Sequence, residues 1–149
     1  MNDEQSPLFS TEIRELIGKH KVFSGGRRHR ELVADLLPTD AVWIDIIVPL
    51  TDVYRQYQEL NAPILVFASG DPLFFGYTTT LMREFPGLVS RTYPSFSSLQ
   101  MLAHSLRLPY HDMRVISLTG RPWHELDRAL IERTAKVGVL TDLKNTPAR

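Results

Sequence analysis

The sequence predicts an α/β domain, a mostly parallel sheet with helices on both faces. Short runs rich in β-branched and aromatic residues alternate along the chain with stretches whose apolar residues recur at helical spacing. Proline or glycine stands at nearly every boundary between the two kinds of segment. The clearest such unit is 63–76, PILVFASGDPLFFG. Its apolar run passes through Ser69-Gly70-Asp71-Pro72 into a helical pattern, the order of a buried strand, a tight loop and a helix start. Asp71 suits the N-cap, and Pro72 the first helical position, where a missing N–H costs nothing. Gly70 lets the backbone turn and lets a ligand come close. Ligands of open α/β sheets sit in such loops, at the carboxyl ends of strands. Taken alone, the stretch reads first as a capped turn.

The other elements follow in order. Residues 1–9 are polar, carry Pro7 and read as a tail. Ser10 or Thr11 caps a short helix with Ile13, Leu16 and Ile17 on one face. Lys21-Val22-Phe23-Ser24 is a strand running into Gly25-Gly26, after which 27–37 is a helix stopped by Pro38. Residues 41–48, AVWIDIIV, form a strand ended by Pro49. Thr51 or Asp52 opens a helix through Tyr54, Tyr57 and Leu60. The helix that starts at Asp71-Pro72 ends near Phe85-Pro86-Gly87. Residues 89–93 are a candidate strand leading into Pro94-Ser95-Phe96-Ser97-Ser98, whose hydroxyls can cap a helix carrying Leu99, Leu102, Ala103 and Leu106. After Pro109 come a strand at 113–118, the turn Thr119-Gly120-Arg121-Pro122, a helix at 123–133 and a last strand at 137–140. No internal repeat or heptad is present, and right-handed crossovers follow from the alternation.

With 149 residues there is room for one domain, or one domain and part of another. An apolar share of 43% supports a real core and excludes disorder. Basic and acidic residues balance at 17 each, so no global field points to nucleic acid or a membrane surface. The absence of cysteine removes disulfides, thiolate metal sites and cysteine nucleophiles. No apolar run approaches the ~20 residues of a membrane span, and the amino terminus lacks the regions of a signal peptide. A cytoplasmic protein is the expectation.

Arg27, Arg28 and Arg30 fall in the first turn of a helix, where the macrodipole disfavours cations by a few tenths to ~1 kcal/mol each. A ligand carboxylate or a neighbouring acid such as Glu31 would offset that, and a solvated helix start accounts for them equally well. Gly25-Gly26 reads as a tight turn, since the longer phosphate-cradling patterns are absent. The five histidines (His20, His29, His104, His111, His124) lack metal-ligand spacing and read as surface or helix-face residues. No nucleophile-elbow motif supports hydrolysis.

Ser69-Gly70-Asp71-Pro72-Leu73-Phe74-Phe75-Gly76 resembles the GDP-x-x-x-G loop of the tetrapyrrole (corrin/porphyrin) methylases, and Pro94-Ser95-Phe96-Ser97-Ser98 resembles their Pro-Gly/Ala-x-Ser-Ser loop. Gly25-Gly26-Arg27-Arg28-His29 and Ser117-Leu118-Thr119-Gly120-Arg121-Pro122 look like the precorrin-6Y C5,15-methyltransferase branch, the CbiE-type subunit or the amino-terminal half of the CobL-type fusion. Residues 140–147 resemble the opening of the family's second domain. The resemblance implies S-adenosylmethionine as cofactor, bound in a cleft between two α/β domains. By motif, Gly70, Asp71 and Phe74 would line it, with Ser98 and Leu99 from the second loop and Thr141 from the second domain. The turns around Asp71 and Ser98 would then converge on one pocket.

The implied reaction methylates a ring carbon of a precorrin. A substrate rich in carboxylates gives Arg27, Arg28, Arg30 and Arg121 a partner, because guanidinium pairs well with carboxylate. The resemblance makes 1–120 the amino-terminal domain, lacking its first strand and that strand's Gly-x-Gly-type loop. It makes 121–149 a linker and the start of a truncated second domain. A fragment of a longer enzyme is therefore expected. The implied partners are a precorrin, a CbiT-type decarboxylating methylase module and, through exposed sheet edges, further copies in a homo-oligomer. Two other readings stay open, a diphthamide-synthase-like methylase acting on a protein and a non-catalytic binding or interaction module.

Overall fold

A computed structural model describes residues 9–146. Most of the expected amino-terminal tail, and Pro147, lie outside the described residues. The chain divides into two compact units, Met1–Ser95 and Phe96–Arg149.

The first unit runs α1 (Thr11–Lys19), β1 (Val22–Gly25), α2 (Arg27–Val33), a 3-10 turn (Ala34–Leu36), β2 (Val42–Asp45), α3 (Thr51–Glu59), β3 (Ile64–Val66) and α4 (Tyr77–Glu84). The three strands form a parallel sheet in the order β2-β1-β3. In register, Phe23 lies beside Trp43 and Leu65, and Val22 beside Ile64. Side chains alternate across the pleat, so each strand feeds two faces. On one face Phe23 packs with Phe67, Ile17 of α1 and Val33 of α2. On the other, Val22 and Ile44 pack with Val53 of α3. The crossover from β1 to β2 runs one way across the sheet and that from β2 to β3 runs the other. Right-handed crossovers in opposite directions require helices on opposite faces, as observed. Phe85, just after α4, meets Tyr54 of α3 edge-on at 5.3 Å, placing the end of α4 beside α3. Ser24, fully buried in β1, donates to the Ile44 carbonyl at 2.8 Å and accepts from the Tyr57 hydroxyl at 2.6 Å.

The second unit runs α5 (Ser98–Ser105), β4 (Arg114–Ser117), α6 (His124–Ile131) and β5 (Val137–Leu140), with β4 and β5 parallel. Ile116 and Val139 stand side by side and pack with Ala129 and Leu126 of α6. Gly138 points the opposite way, where a Cβ would lie 3.0 Å from Leu99 Cδ1 of α5. Helices therefore cover both faces here too. The expected boundary at 120 falls inside this unit, between β4 and the strand that pairs with it. Among the described residues, no helix is long and apolar enough to cross a membrane.

Three expectations are corrected. The helix expected from Asp71-Pro72 begins at Tyr77, with Gly76 at its N-cap. The Asp71 carboxylate closes a local turn instead, accepting from Leu73 N at 2.9 Å, and Phe75 leaves helical geometry at φ 53°. Residues 89–93 pair with no strand among the described residues. Their Arg91 reaches Glu12 of α1 at 2.7 Å and lies 4.8 Å over the Tyr93 ring, so side chains rather than a ladder hold the segment. The helix expected to continue to Pro38 tightens at Ala34 into its 3-10 turn. Leu37 then turns extended, as the residue before a proline prefers.

Candidate functional site

β1 and β3 lie adjacent, the helices that follow them (α2 and α4) lie on opposite faces, and the loops between open on the carboxyl edge. This is the switch point at which open α/β sheets bind ligands. The turn from β1 into α2 is formed by Gly25 and Gly26 with the three arginines on the first turn of the helix, and the loop after β3 carries Ser69, Gly70 and Asp71.

Gly25 admits no larger residue without movement. A Cβ there would lie 3.0 Å from the Trp43 indole and 3.1 Å from His29 Cβ. The Trp43 ring stacks on Phe67 at 5.8 Å and 13°, and its Nε1 donates to Asp45 at 2.9 Å. Above this aromatic floor stands His29, half-buried in the first turn of α2. Its Nδ1 accepts from Gly26 N at 3.2 Å, which leaves the ring proton on Nε2. Nε2 then donates to Ser69 Oγ at 2.9 Å and joins the two loops. Burial, aided by the Arg28 guanidinium, holds the His29 pKa below its ordinary value, so the imidazole is neutral at pH 7.

The Gly-Asp-Pro loop owes its shape to three backbone features. Gly70 is left-handed at φ 62°. Phe75, also left-handed, is a conformation that costs a bulky residue free energy and that tends to mark functional loops. Gly76 approaches its own loop so closely that a Cβ would sit 2.5 Å from the Pro72 carbonyl oxygen. Asp71 and Phe74 are half-buried, while Leu73 stands exposed. Arg27, Arg28 and Arg30 are exposed on the first turn of α2. Arg27 pairs with Glu31 one turn on, at 3.2 Å, the local offset expected for a cation at a helix start.

In the second unit Ser97 is the N-cap of α5 in a capping box, accepting from Gln100 N at 3.2 Å while its own N–H donates to the Gln100 amide at 2.8 Å. Ser98 next to it is exposed, whereas the Leu99 side chain is buried against Gly138 of β5. The loops after β4 and β5, carrying Arg121 and Thr141, are brought together by Asp142. Its carboxylate accepts from Gly120 N at 2.9 Å, Asn145 N at 2.7 Å and Lys144 N at 2.9 Å. These amides, Gly120 first, hold its pKa down at about 2. The Thr119 hydroxyl adds a bond to the Thr141 carbonyl at 3.4 Å, and Asn145 bridges Leu118 O to Trp123 Nε1.

The structure thus brings the loops of Gly70, Asp71 and Phe74 and of Arg27, Arg28 and Arg30 to one sheet edge, and it joins the loops of Arg121 and Thr141. Residue-by-residue reading missed His29 and Ser69, and also Asp142. Both members of the first pair lay inside motifs already singled out. Only their meeting across 40 positions of sequence was invisible.

Over 132 residues, 87% of its length, the chain is 36% identical to the decarboxylating precorrin-6Y C(5,15)-methyltransferase of a Sinorhizobium species. Over 84 residues it is 33% identical to the cobalt-precorrin-7 C(5)-methyltransferase of Salmonella typhimurium. It spans 31% of the first of these relatives and 40% of the second. No family model matches the sequence. The fold is similar to the crystal structure of the cobalamin biosynthesis precorrin-6Y methylase CbiE from Archaeoglobus fulgidus, with a TM-score of 0.63 and 21% identity. That likeness covers 89% of this chain and 66% of the other.

Proposed function

We infer that the chain belongs to the CbiE-type tetrapyrrole methylases, a reading supported by its likeness to the relatives above. It is part of an S-adenosylmethionine-dependent methyltransferase of corrin-ring biosynthesis that methylates a ring carbon of a precorrin. The observation that carries this reading is the meeting of two motif-bearing loops at the switch point of the first sheet, tied by the 2.9 Å bond from His29 to Ser69.

The donor set of the 69–76 loop suits the cofactor. Asp71 offers a carboxylate to ribose hydroxyls or to a cationic group. The half-buried Phe74 ring offers an apolar face to a purine, and Gly70 lets the ligand approach the backbone. Ser98, Leu99 and Thr141 are proposed as further cofactor contacts, Leu99 through its backbone because its side chain is buried. Arg27, Arg28, Arg30 and Arg121 are proposed to take the carboxylates of the tetrapyrrole, bidentate where geometry allows.

The cofactor supplies an electrophilic sulfonium methyl. Gly70, Asp71 and Phe74 would hold the cofactor, whose methyl group the ring carbon would receive with S-adenosylhomocysteine as the other product. The contribution of the protein is alignment and exclusion of water rather than a nucleophilic side chain.

The amino-terminal domain is proposed to span 1–120, with 121–149 a linker and the start of a second domain. A CbiT-type module, homo-oligomerisation and a cytoplasmic setting complete the proposal. Titration calorimetry with S-adenosylhomocysteine tests its centre. Saturable heat that weakens at least tenfold in Asp71→Ala is expected, and no saturable heat in the parent chain would overturn it.

A further inference from the structure

We propose that His29 is a positioning residue whose hydrogen bond to Ser69 couples the two loops, so that filling the cofactor loop strengthens binding at the arginine-bearing loop and the reverse. The proposal rests on the function proposed above and adds to it a thermodynamic link between its two ligands.

The geometry points to a link rather than a simple cap. The imidazole is oriented from its own side, because Nδ1 accepts from Gly26 N at 3.2 Å. The backbone of β1 also runs close beneath the base of this side chain, since a Cβ at Gly25 would lie 3.1 Å from His29 Cβ and 3.0 Å from the Trp43 indole. A ring so fixed presents Nε2–H in one direction, and there it meets Ser69 Oγ at 2.9 Å. Ser69 is exposed and sits directly before Gly70, the left-handed residue about which the Gly-Asp-Pro loop can pivot. The far end of that loop is already fixed by the close approach of Gly76 to the Pro72 carbonyl. The bond to His29 ties the residue at its near end to the first turn of α2.

On the other side, His29 follows Arg27 and Arg28 in the same helical turn. A ligand that settles the turn also settles the imidazole. Each ligand then encounters a neighbouring loop already ordered by the other, and linkage makes the benefit equal in both directions. One neutral hydrogen bond sets the scale at about two- to tenfold in affinity.

The experiment is titration of the chain with S-adenosylhomocysteine, alone and with saturating uroporphyrin as a polycarboxylate tetrapyrrole probe. It compares the parent with His29→Asn, Ser69→Ala, the double variant and His29→Gln. Asparagine places an acceptor where Nδ1 lies, so it keeps the Gly26 cap and loses the reach to Ser69. Glutamine places a donor where Nε2 lies and restores that reach. Ser69→Ala reads the same bond from an exposed position if a change at His29 disturbs folding.

The parent is expected to bind S-adenosylhomocysteine about two- to tenfold more tightly with the porphyrin present. That factor is expected to fall to about one in His29→Asn and in Ser69→Ala, to fall no further in the double variant, and to return in His29→Gln. A factor of one in the parent, a factor unchanged in both single variants, or losses that add in the double variant would each overturn the coupling and leave the proposed function standing. No saturable binding by the parent would overturn both.

Discussion

At the residue scale, positions that look interchangeable in the sequence are not so in space. Gly76→Ala would place a methyl group 2.5 Å from a backbone oxygen, which cannot move aside as a flexible side chain would. The expected cost is about 1–3 kcal/mol, read as a lower urea midpoint, together with weakened S-adenosylhomocysteine binding. Gly18, where an added Cβ would meet nothing within 4 Å, serves as the control, and Gly18→Ala should leave the binding unchanged. His29 makes a prediction in pH. Its folded pKa lies below the ordinary 6.5, so the native state binds fewer protons than the unfolded chain as pH falls through that value. Stability is then lost on acidification below about pH 6.5, and urea midpoints from pH 7.5 to 5 should fall less steeply in His29→Asn. Asp142 behaves in the same sense over a lower range. Its folded pKa of about 2 lies below the ordinary 3.8, so its contribution is complete above the latter and lost as pH falls through about 2. The stability gap between the parent and Asp142→Ala should therefore close between pH 4 and 2. The special backbone of Gly70 was legible from its place in the loop. The roles of His29 and Asp142 were not, because both depend on partners far along the chain or beyond a strand.

At the element scale, strands and caps were readable where local chemistry decides them. Ser10 and Ser97 cap α1 and α5 because a hydroxyl before an amphipathic run finds free amides within reach. Ser97→Ala should cost about 1 kcal/mol in urea denaturation, since it removes one half of a capping box and leaves α5 to start unaided. The start of α4 was misplaced for a related reason. Asp71-Pro72 has the composition of a helix start, yet its carboxylate is satisfied by Leu73 N in a local turn, and the left-handed Phe75 separates that turn from the helix. Local pattern supplies the chemistry of a cap but not the count of residues before the helix begins. Phe67 shows what an element end contributes. It follows β3, donates its N–H to Ser24 O at 2.7 Å and contacts the rings of Phe9, Phe23 and Trp43. Phe67→Ala should destabilise by about 3–5 kcal/mol, because the cavity would open beneath the two loops.

At the scale of the whole molecule, the order β2-β1-β3 makes the site possible. Had β2 and β3 followed on the same side of β1, right-handed crossovers would have put α2 and α3 on one face, and β1 and β3 would not be neighbours. The prediction belonging to this scale is that the two neighbouring loops hold different ligands. Arg28→Ala should weaken uroporphyrin binding by at least fivefold, with its effect on S-adenosylhomocysteine measured alone held within about twofold, as expected for a lost charge-assisted bond. Local pattern in the chain sets the alternation of strands and helices, the absence of cysteine and the motifs that resemble those of known methylases, since hydrophobic period, residue types and short motifs are all written locally. Tertiary structure alone decided which strands are neighbours, that His29 faces Ser69, and that Leu99 turns its side chain into its own unit. Those outcomes depend on how non-local surfaces bury one another, and no single stretch of the chain contains both sides of such a contact.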